Sequence, residues 1–131
     1  MMIAKAGVLW TLMAMAASAQ AVPVERAVLG SSAITLHVHP FLSGQEVATL
    51  RLVMKNEQAL ALFVPRKGGF AALAASPDDG FVRAGVPVRS AVAVGDLPDA
   101  ATARAAALKA CEAAKEGAQP CVILLEIAPA P

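Results

Sequence analysis

Residues 100–127 carry the strongest structural signal in the chain, and they read AATARAAALKACEAAKEGAQPCVILLEI. The first part is rich in alanine, leucine, lysine and glutamate, which favour the helical backbone. Asp96 lies just before it and is a good N-cap, while Gly117 supplies a stop and Pro120 cannot continue a helix. The sequence therefore predicts a helix over residues 100–116.

The second part of that stretch, residues 121–127, is aliphatic and β-branched and predicts a strand. Alternation places one set of its side chains on a single face: Cys121, Ile123, Leu125 and Ile127. The opposite face is also largely apolar, since it carries Val122 and Leu124. A strand that is apolar on both faces is expected inside a sheet rather than at its edge.

The chain before this stretch predicts short strands separated by turns. Residues 34–39 alternate between apolar and polar side chains, and Pro40 ends the run. Residues 43–55 fit either a helix that begins at a capping box or a strand, and their β-branched content favours the strand. Further segments are predicted in order as a hairpin of residues 59–64 and 70–75, a turn at 76–80, a returning strand at 81–84 and a strand at 86–94.

These elements together predict an α+β fold. It has a mostly antiparallel sheet of about five or six strands, with one main C-terminal helix packed on a face.

The N-terminal residues 1–21 are typical of a cleavable signal peptide. Lys5 is followed by an uncharged apolar run, and small residues permit cleavage after Ala19 or after Ala21. A transmembrane anchor is the less favoured alternative, because that run is shorter than the roughly 20 residues that a spanning helix needs. We expect export to the periplasm or the medium, no membrane span in the mature chain, and one small globular domain over residues 22–131.

Charge and aromatic content exclude several classes of partner. The chain has 11 Lys+Arg and 10 Asp+Glu, and loss of Lys5 with the signal peptide leaves the mature chain formally neutral. Such a chain lacks the long-range attraction that nucleic-acid-binding proteins use. There is no tyrosine, and the single tryptophan, Trp10, lies in the signal peptide. Because sites that stack sugars or bases need aromatic faces, we expect neither kind of site and no nucleic-acid partner.

Cys111 and Cys121 are the only cysteines in the chain. An even pair in an exported protein normally forms a disulfide. Nine intervening residues are too many for a C-x-x-C redox pair, and no nearby histidine completes a zinc site. The sequence therefore predicts a disulfide that links the C-terminal helix to the last strand.

The C-terminal half combines a hairpin near residues 70–80, an Ala-Leu-x-x-Cys helix motif that ends at Cys111 and a Pro-Cys-aliphatic motif that begins at Pro120. This order resembles small exported bacterial domains of unknown function in which two cysteines bridge a helix and a strand. The resemblance covers residues 69–127, although the aromatic residues that such domains often carry after the second cysteine are missing. It implies bacterial export and the same disulfide, and it implies no activity.

His37 and His39 are the only histidines, and a strand over residues 34–39 places both imidazoles on one face. This spacing suits zinc or copper, but two ligands do not make a site. Glu46 or Glu57 would have to supply a third ligand. The favoured interpretation is that both histidines lie on the solvated face of a half-buried strand.

No other group of residues predicts chemistry. Asp78 and Asp79 are expected to form a turn, residues 68–69 lack the spacing of a phosphate loop, and no serine lies in a nucleophile elbow. We therefore predict no catalytic residue. The favoured function is a non-enzymatic binding or accessory module that contacts an unidentified protein through a sheet edge or an apolar patch. The alternatives are zinc or copper binding through the two histidines and, last, a small hydrolase or its inhibitor.

Overall fold

The computed structural model describes residues 21–131, so the predicted signal peptide lies outside the described residues except for Ala21. The elements in chain order are β1 (Val24–Leu29), β2 (Ser32–His37), α1 (Gly44–Val53), α2 (Glu57–Phe63), β3 (Phe70–Ala75), β4 (Val82–Arg83), β5 (Val86–Pro87), β6 (Val92–Leu97), α3 (Ala100–Ala114) and β7 (Val122–Pro129). The α+β prediction is confirmed. In this part of the chain, no helix has the length and apolar character needed to cross a membrane.

Five strands form one antiparallel sheet in the order β1-β2-β7-β3-β6, and β4 and β5 form a separate ribbon. The last strand of the chain is interior, as predicted. The turn at residues 76–80 is also present, with Gly80 N donating to Ser76 O at 2.9 Å. The prediction that residues 81–84 return beside residues 70–75 is wrong, because β3 takes β6 and β7 as its two neighbours.

Two helices occupy segments where strands were predicted. Ser43 Oγ accepts from Glu46 N at 3.1 Å and Glu46 Oε1 accepts from Ser43 N at 2.9 Å, so a complete capping box begins α1. Asn56 caps α2 through its side-chain oxygen. The strand predictions for residues 43–55 and 59–64 are therefore wrong. Two successive N-caps outweigh the β-branched content, and the hairpin that needed residues 59–64 does not form.

The main hydrophobic core lies between the sheet and the helices α1 and α2. Its largest fully buried side chains are Ile34, Leu36, Leu50, Val53, Val64, Leu73, Phe81, Leu124, Leu125 and Ile127. Burying an aliphatic or aromatic side chain contributes about 1.5–3 kcal/mol. Most of the apolar stabilisation of the fold therefore lies on this side of the sheet.

Helix α3 packs against the opposite side of the sheet through small side chains. Ala103, Ala107 and Cys111 recur every fourth residue and form one buried stripe, which meets Ala72 and Ala74 of β3. Side chains of this size let the helix lie close to the strands.

The ends of α3 differ from the prediction by a few residues. Asp99 Oδ1 accepts from Thr102 N at 2.7 Å, so Asp99 is the N-cap, whereas Asp96 belongs to β6. The helix ends at Ala114.

The predicted disulfide joins α3 to the start of the last strand. The Sγ atoms of Cys111 and Cys121 are 2.05 Å apart.

A bulge in β7 changes which side of the sheet its side chains occupy. The register with β3 shifts just before Leu125, which makes Leu124 the extra residue. Cys121 and Ile123 consequently face α3, whereas Leu125 and Ile127 face the main core. The prediction that all four share one face is wrong, because simple alternation does not allow for an inserted residue.

Candidate functional site

The α3 side of the sheet is only half covered. Helix α3 packs on β3, β6 and β7. The large side chains of β1 on this side remain in solvent, since Val24 is 40% and Val28 71% exposed. We call the uncovered region the open face, and it is formed by Val24, Arg26, Val28, Ala33, Thr35, His37 and Glu126.

Alternation along β1 assigns its side chains to the two sides of the sheet. Glu25 accepts from Arg51 of α1 at 2.8 Å, and Ala27 and Leu29 pack against the main core. The intervening residues therefore point to the open face. Two exposed β-branched side chains and one arginine, Arg26, form this row.

β1 also presents unpaired backbone groups along the outer edge of the sheet. Pro23 O accepts from Val38 N at 2.8 Å, which extends the ladder between β1 and β2. Hydrogen-bonding direction alternates along a strand, so the amides of Val24, Arg26 and Val28 point away from β2. No other strand of residues 21–131 pairs with this edge.

A charged network lies where the open face meets α3. His37 Nε2 donates to Glu126 Oε2 at 2.7 Å, and Arg104 donates to Glu126 Oε1 at 2.8 Å. Partial burial raises the pKa of Glu126, but the hydrogen bonds from Arg104 and His37 outweigh it and leave this pKa below its ordinary value. The carboxylate is therefore ionised near neutral pH, and both of its oxygens are occupied.

His39 lies beside this network but has a different role. Its Nε2 donates to Ile123 O at 2.7 Å, and its ring stacks on Phe41 with a centroid separation of 5.8 Å. Burial lowers the pKa of His39 and, together with the neighbouring His37, outweighs the hydrogen bond to Ile123 O, which raises it, so the ring is neutral at neutral pH. Within the described residues, no hydroxyl or thiol forms a hydrogen bond with either imidazole, so this geometry supplies no activated nucleophile.

The structure separates the residues that the metal hypothesis needs together. The ring centroids of His37 and His39 are 6.3 Å apart. β2 ends at His37, so His39 lies beyond the strand that was predicted to carry both imidazoles. Glu46 accepts from backbone amides near β4, and Glu57 lies against Gly30 at the β1–β2 turn. Across residues 21–131, no group of three His, Cys, Asp or Glu side chains is placed to hold a metal ion. Zinc or copper binding stays a prediction.

Asp78 and Asp79 connect the turn at residues 76–80 to the loop after α3. Asp78 accepts from Gln119 N at 3.0 Å, and Asp79 accepts from Gly117 N at 3.1 Å and from Ser90 Oγ at 2.7 Å. The Gln119 amide lowers the pKa of Asp78, and the Ser90 hydroxyl, followed by backbone amides, lowers that of Asp79. Both carboxylates line a surface cavity of about 410 Å³. Their hydrogen bonds are used to hold two loops together.

The loop at residues 66–69, before β3, already donates its backbone amides to a carboxylate of the protein itself. Asp96 Oδ1 accepts from Lys67 N at 2.8 Å and from Gly68 N at 2.9 Å. The amides of Gly68 and then Lys67 lower the pKa of Asp96. An external anion would have to displace this side chain, so the loop is a structural feature.

Sequence reasoning missed β1, and with it the open face. The chain was compared with family models, with curated proteins and with solved structures, and none of them matches it. A function for this chain therefore has to be inferred from the geometry of the molecule.

Proposed function

We propose that this chain is an exported, non-enzymatic module that binds another protein by taking an extended segment of it as an additional strand beside β1. Strand addition uses free backbone groups for affinity and alternate side chains for specificity. β1 offers both, because no strand among residues 21–131 pairs with its outward amides and every second side chain points to the open face.

Export is supported by two features of the chain. Residues 1–21 have the pattern of a signal peptide, and the disulfide between Cys111 and Cys121 is of the kind that persists in oxidising compartments. Recovery of the processed, oxidised protein from an exporting host tests this part of the proposal, by its mass.

The unprotected edge of β1 is the observation that carries the proposal. Exposed edges in natural proteins are normally blunted by charged side chains, proline, bulges or a covering segment. β1 has six residues, pairs with β2 in unbroken register and contains no proline or bulge between Val24 and Leu29. Of its two charged side chains, Glu25 is paired with Arg51, which leaves Arg26 as the single charge that faces solvent along this edge.

The other edge of the sheet is protected, which makes the contrast informative. The register of β6 with β3 is interrupted by a bulge. Asp96 near its end has a φ of 61°, outside the range of a regular strand. Gly95 lies so close to Pro65 O that an added Cβ would stand 2.9 Å from that oxygen. A sheet with one protected edge and one regular, free edge is suited to receive a strand at the free one.

The test is selection of peptides from an unbiased displayed library on the processed, oxidised protein, followed by NMR titration of those selected. We expect the largest amide shifts at Val24, Arg26 and Val28, with small shifts at Val92 and Val94 of β6. Shifts that map elsewhere, or a selection that yields no binder, would contradict the proposal.

A proline substitution tests whether the outward amide takes part. Val28→Pro removes an N–H that points away from β2, so the β1–β2 ladder keeps its hydrogen bonds. We expect it to weaken peptide binding at least about tenfold, which corresponds to about 1.4 kcal/mol. Val28→Thr keeps the amide and a β-branched side chain, and should weaken binding no more than about threefold. Equal effects of the two substitutions would contradict backbone pairing at this position.

A further inference from the structure

We propose that the segment bound at β1 carries an acidic side chain opposite Arg26, with apolar side chains two residues before and after it. This inference rests on the proposed strand addition and specifies the chemistry of the partner.

The spacing follows from the geometry of paired strands. Side chains directly opposite each other point to the same side of the sheet, and every second residue shares that side. An added strand in register with β1 therefore places three alternate side chains beside Val24, Arg26 and Val28. Val24 and Val28 favour β-branched or aromatic neighbours, because 40% and 71% of their surfaces are exposed.

The charge of Arg26 determines the middle position. Among residues 21–131, Arg26 is exposed and forms no ion pair. Glu126, the acidic side chain of the open face, is already held by Arg104 and His37. On the other side of β1, Glu25 is paired with Arg51 at 2.8 Å. Arg26 is thus an unpaired cation beside a free edge.

The charges on the other side of this edge balance one another, so they do not offset Arg26. Lys55 lies near enough to Glu25 to lower its pKa, after the larger effect of the hydrogen bond from Arg51. Glu57 is the opposing charge, at the turn beside Gly30. Arg51 and Lys55 balance Glu25 and Glu57, so Arg26 alone gives this edge a net positive charge, which favours an acidic segment.

A second copy of the chain fits this edge less well. In an antiparallel pair of two β1 strands, a single register brings Val24 of one chain opposite Val28 of the other. That register also places the two Arg26 side chains directly opposite each other. Like charges directly opposite each other destabilise a pair of strands. A shift of this register by two residues in either direction puts Arg26 opposite Val24 or Val28 of the copy.

The test uses three blocked heptapeptides that differ only at the central residue: Thr-Val-Thr-Glu-Thr-Val-Thr and its Gln and Lys counterparts. NMR titration of the processed protein measures the affinity of each. We expect the Glu peptide to bind about two- to fivefold more tightly than the Gln peptide, the range of an exposed ion pair. About 1 M salt should remove the preference, because it screens such a pair.

Substitutions of Arg26 then identify the group that gives the preference. Arg26→Gln should abolish it, and Arg26→Glu should reverse it in favour of the Lys peptide. Arg89→Gln, which removes an exposed arginine from the loop between β5 and β6, should retain the preference for Glu. Retention of that preference in Arg26→Gln would overturn the inference.

The peptide titrations also separate this inference from the proposed function. Equal affinity for the three peptides, with shifts confined to β1, would overturn the acidic preference and leave strand addition in place. Absence of shifts at β1 with any peptide would overturn both. Dimerisation of Arg26→Gln through β1, together with no Glu preference in the wild type, would assign Arg26 to keeping chains apart and overturn the inference.

Discussion

Replacing both cysteines by alanine tests how far the stability of this fold depends on the link between α3 and β7. Cys111 is fully buried and Cys121 is 7% exposed. Serine would bury two hydroxyls in this apolar region, so alanine is the cleaner substitution. The variant C111A/C121A therefore removes the crosslink and the two buried sulfur atoms without introducing a polar group.

The expected effect comes chiefly from the unfolded chain. The two cysteines are 10 residues apart in sequence. For a loop of that length, the chain-entropy relation gives about 2.7 kcal/mol at 25 °C. Loss of two buried sulfur atoms adds about 1 kcal/mol. We expect the free energy of unfolding to fall by about 3–4 kcal/mol, which is a large share of the 5–15 kcal/mol typical of such domains.

Urea unfolding followed by far-UV circular dichroism measures this difference. Intrinsic fluorescence is a poor probe, because residues 22–131 contain neither Trp nor Tyr. Wild-type protein kept reduced is the matched control, since it loses the crosslink but keeps both sulfur atoms. It should account for about 2.7 kcal/mol of the loss. A loss below about 1 kcal/mol in both samples would refute the reasoning from loop closure.

Three further perturbations test other parts of the structure. Glu46→Gln should lower the free energy of unfolding by about 2 kcal/mol, because an amide has one acceptor oxygen whereas this carboxylate accepts through both of its oxygens. Urea unfolding measures the loss, with substitution of the exposed Gln45 by alanine as the control. Equal losses in the two variants would count against this role of Glu46. Gly117→Ala should lower the free energy of unfolding by about 1–3 kcal/mol, because the added Cβ collides with Asp78. Gly68→Ala is the control, because its added Cβ meets nothing within 4 Å and should leave the Tm close to that of the wild type. An equal fall in Tm for both variants would contradict the proposed collision with Asp78. The pKa of Glu126 is lowered in the folded protein, so its ionised carboxylate stabilises the fold at pH values above its unfolded pKa of about 4.3. This stabilisation is lost as the pH falls through the folded pKa. The stability difference between wild type and Glu126→Gln should therefore shrink below about pH 4, and a difference that persists there would contradict the assignment.

The C-terminal half was the more predictable part of the fold, because its signals are local and agree with one another. Helix-forming residues, a glycine stop and a proline lie in the expected order around α3, and the strand after Pro120 is continuously apolar. The disulfide followed from the count of cysteines. Where the prediction failed, at Leu124, the cause was a bulge, which depends on pairing with β3 rather than on the residues of β7 alone.

The middle of the chain was mispredicted because two periodicities coincide there. Leu50, Leu52 and Met54 alternate as in a strand, yet Leu50 and Met54 also fall one helical turn apart. The structure places Leu50 in the core and leaves Leu52 57% exposed, which is the helical solution. The capping box at Ser43 and the cap at Asn56 were the local signals that could have decided between them.

The open face was not predicted because β1 contains too few apolar residues to give a strand signal in the sequence. Its six residues include Glu25 and Arg26, and only three are valine or leucine. The available signal was Gly30, which has a φ of 57° in a two-residue turn between Leu29 and Ser32. A glycine at the first position of such a turn is typical of a tight hairpin. Which strand then covers the second edge of β2 depends on residues about a hundred positions away, beyond the reach of any local pattern.

The position of β7 has a consequence for the order in which the molecule assembles. β7 follows the other four strands in sequence but lies at the centre of the sheet, so β1 and β2 on one side and β3 and β6 on the other are joined only through it. Synthesis proceeds from the N-terminus, and pairing between distant segments is slow. The two half-sheets must therefore wait, each with an open inner edge, until β7 has been synthesised. During that interval the edges of β2 and β3 that β7 will cover are open in addition to the outer edge of β1, so a chaperone that guards the nascent protein would have three strands to protect instead of one.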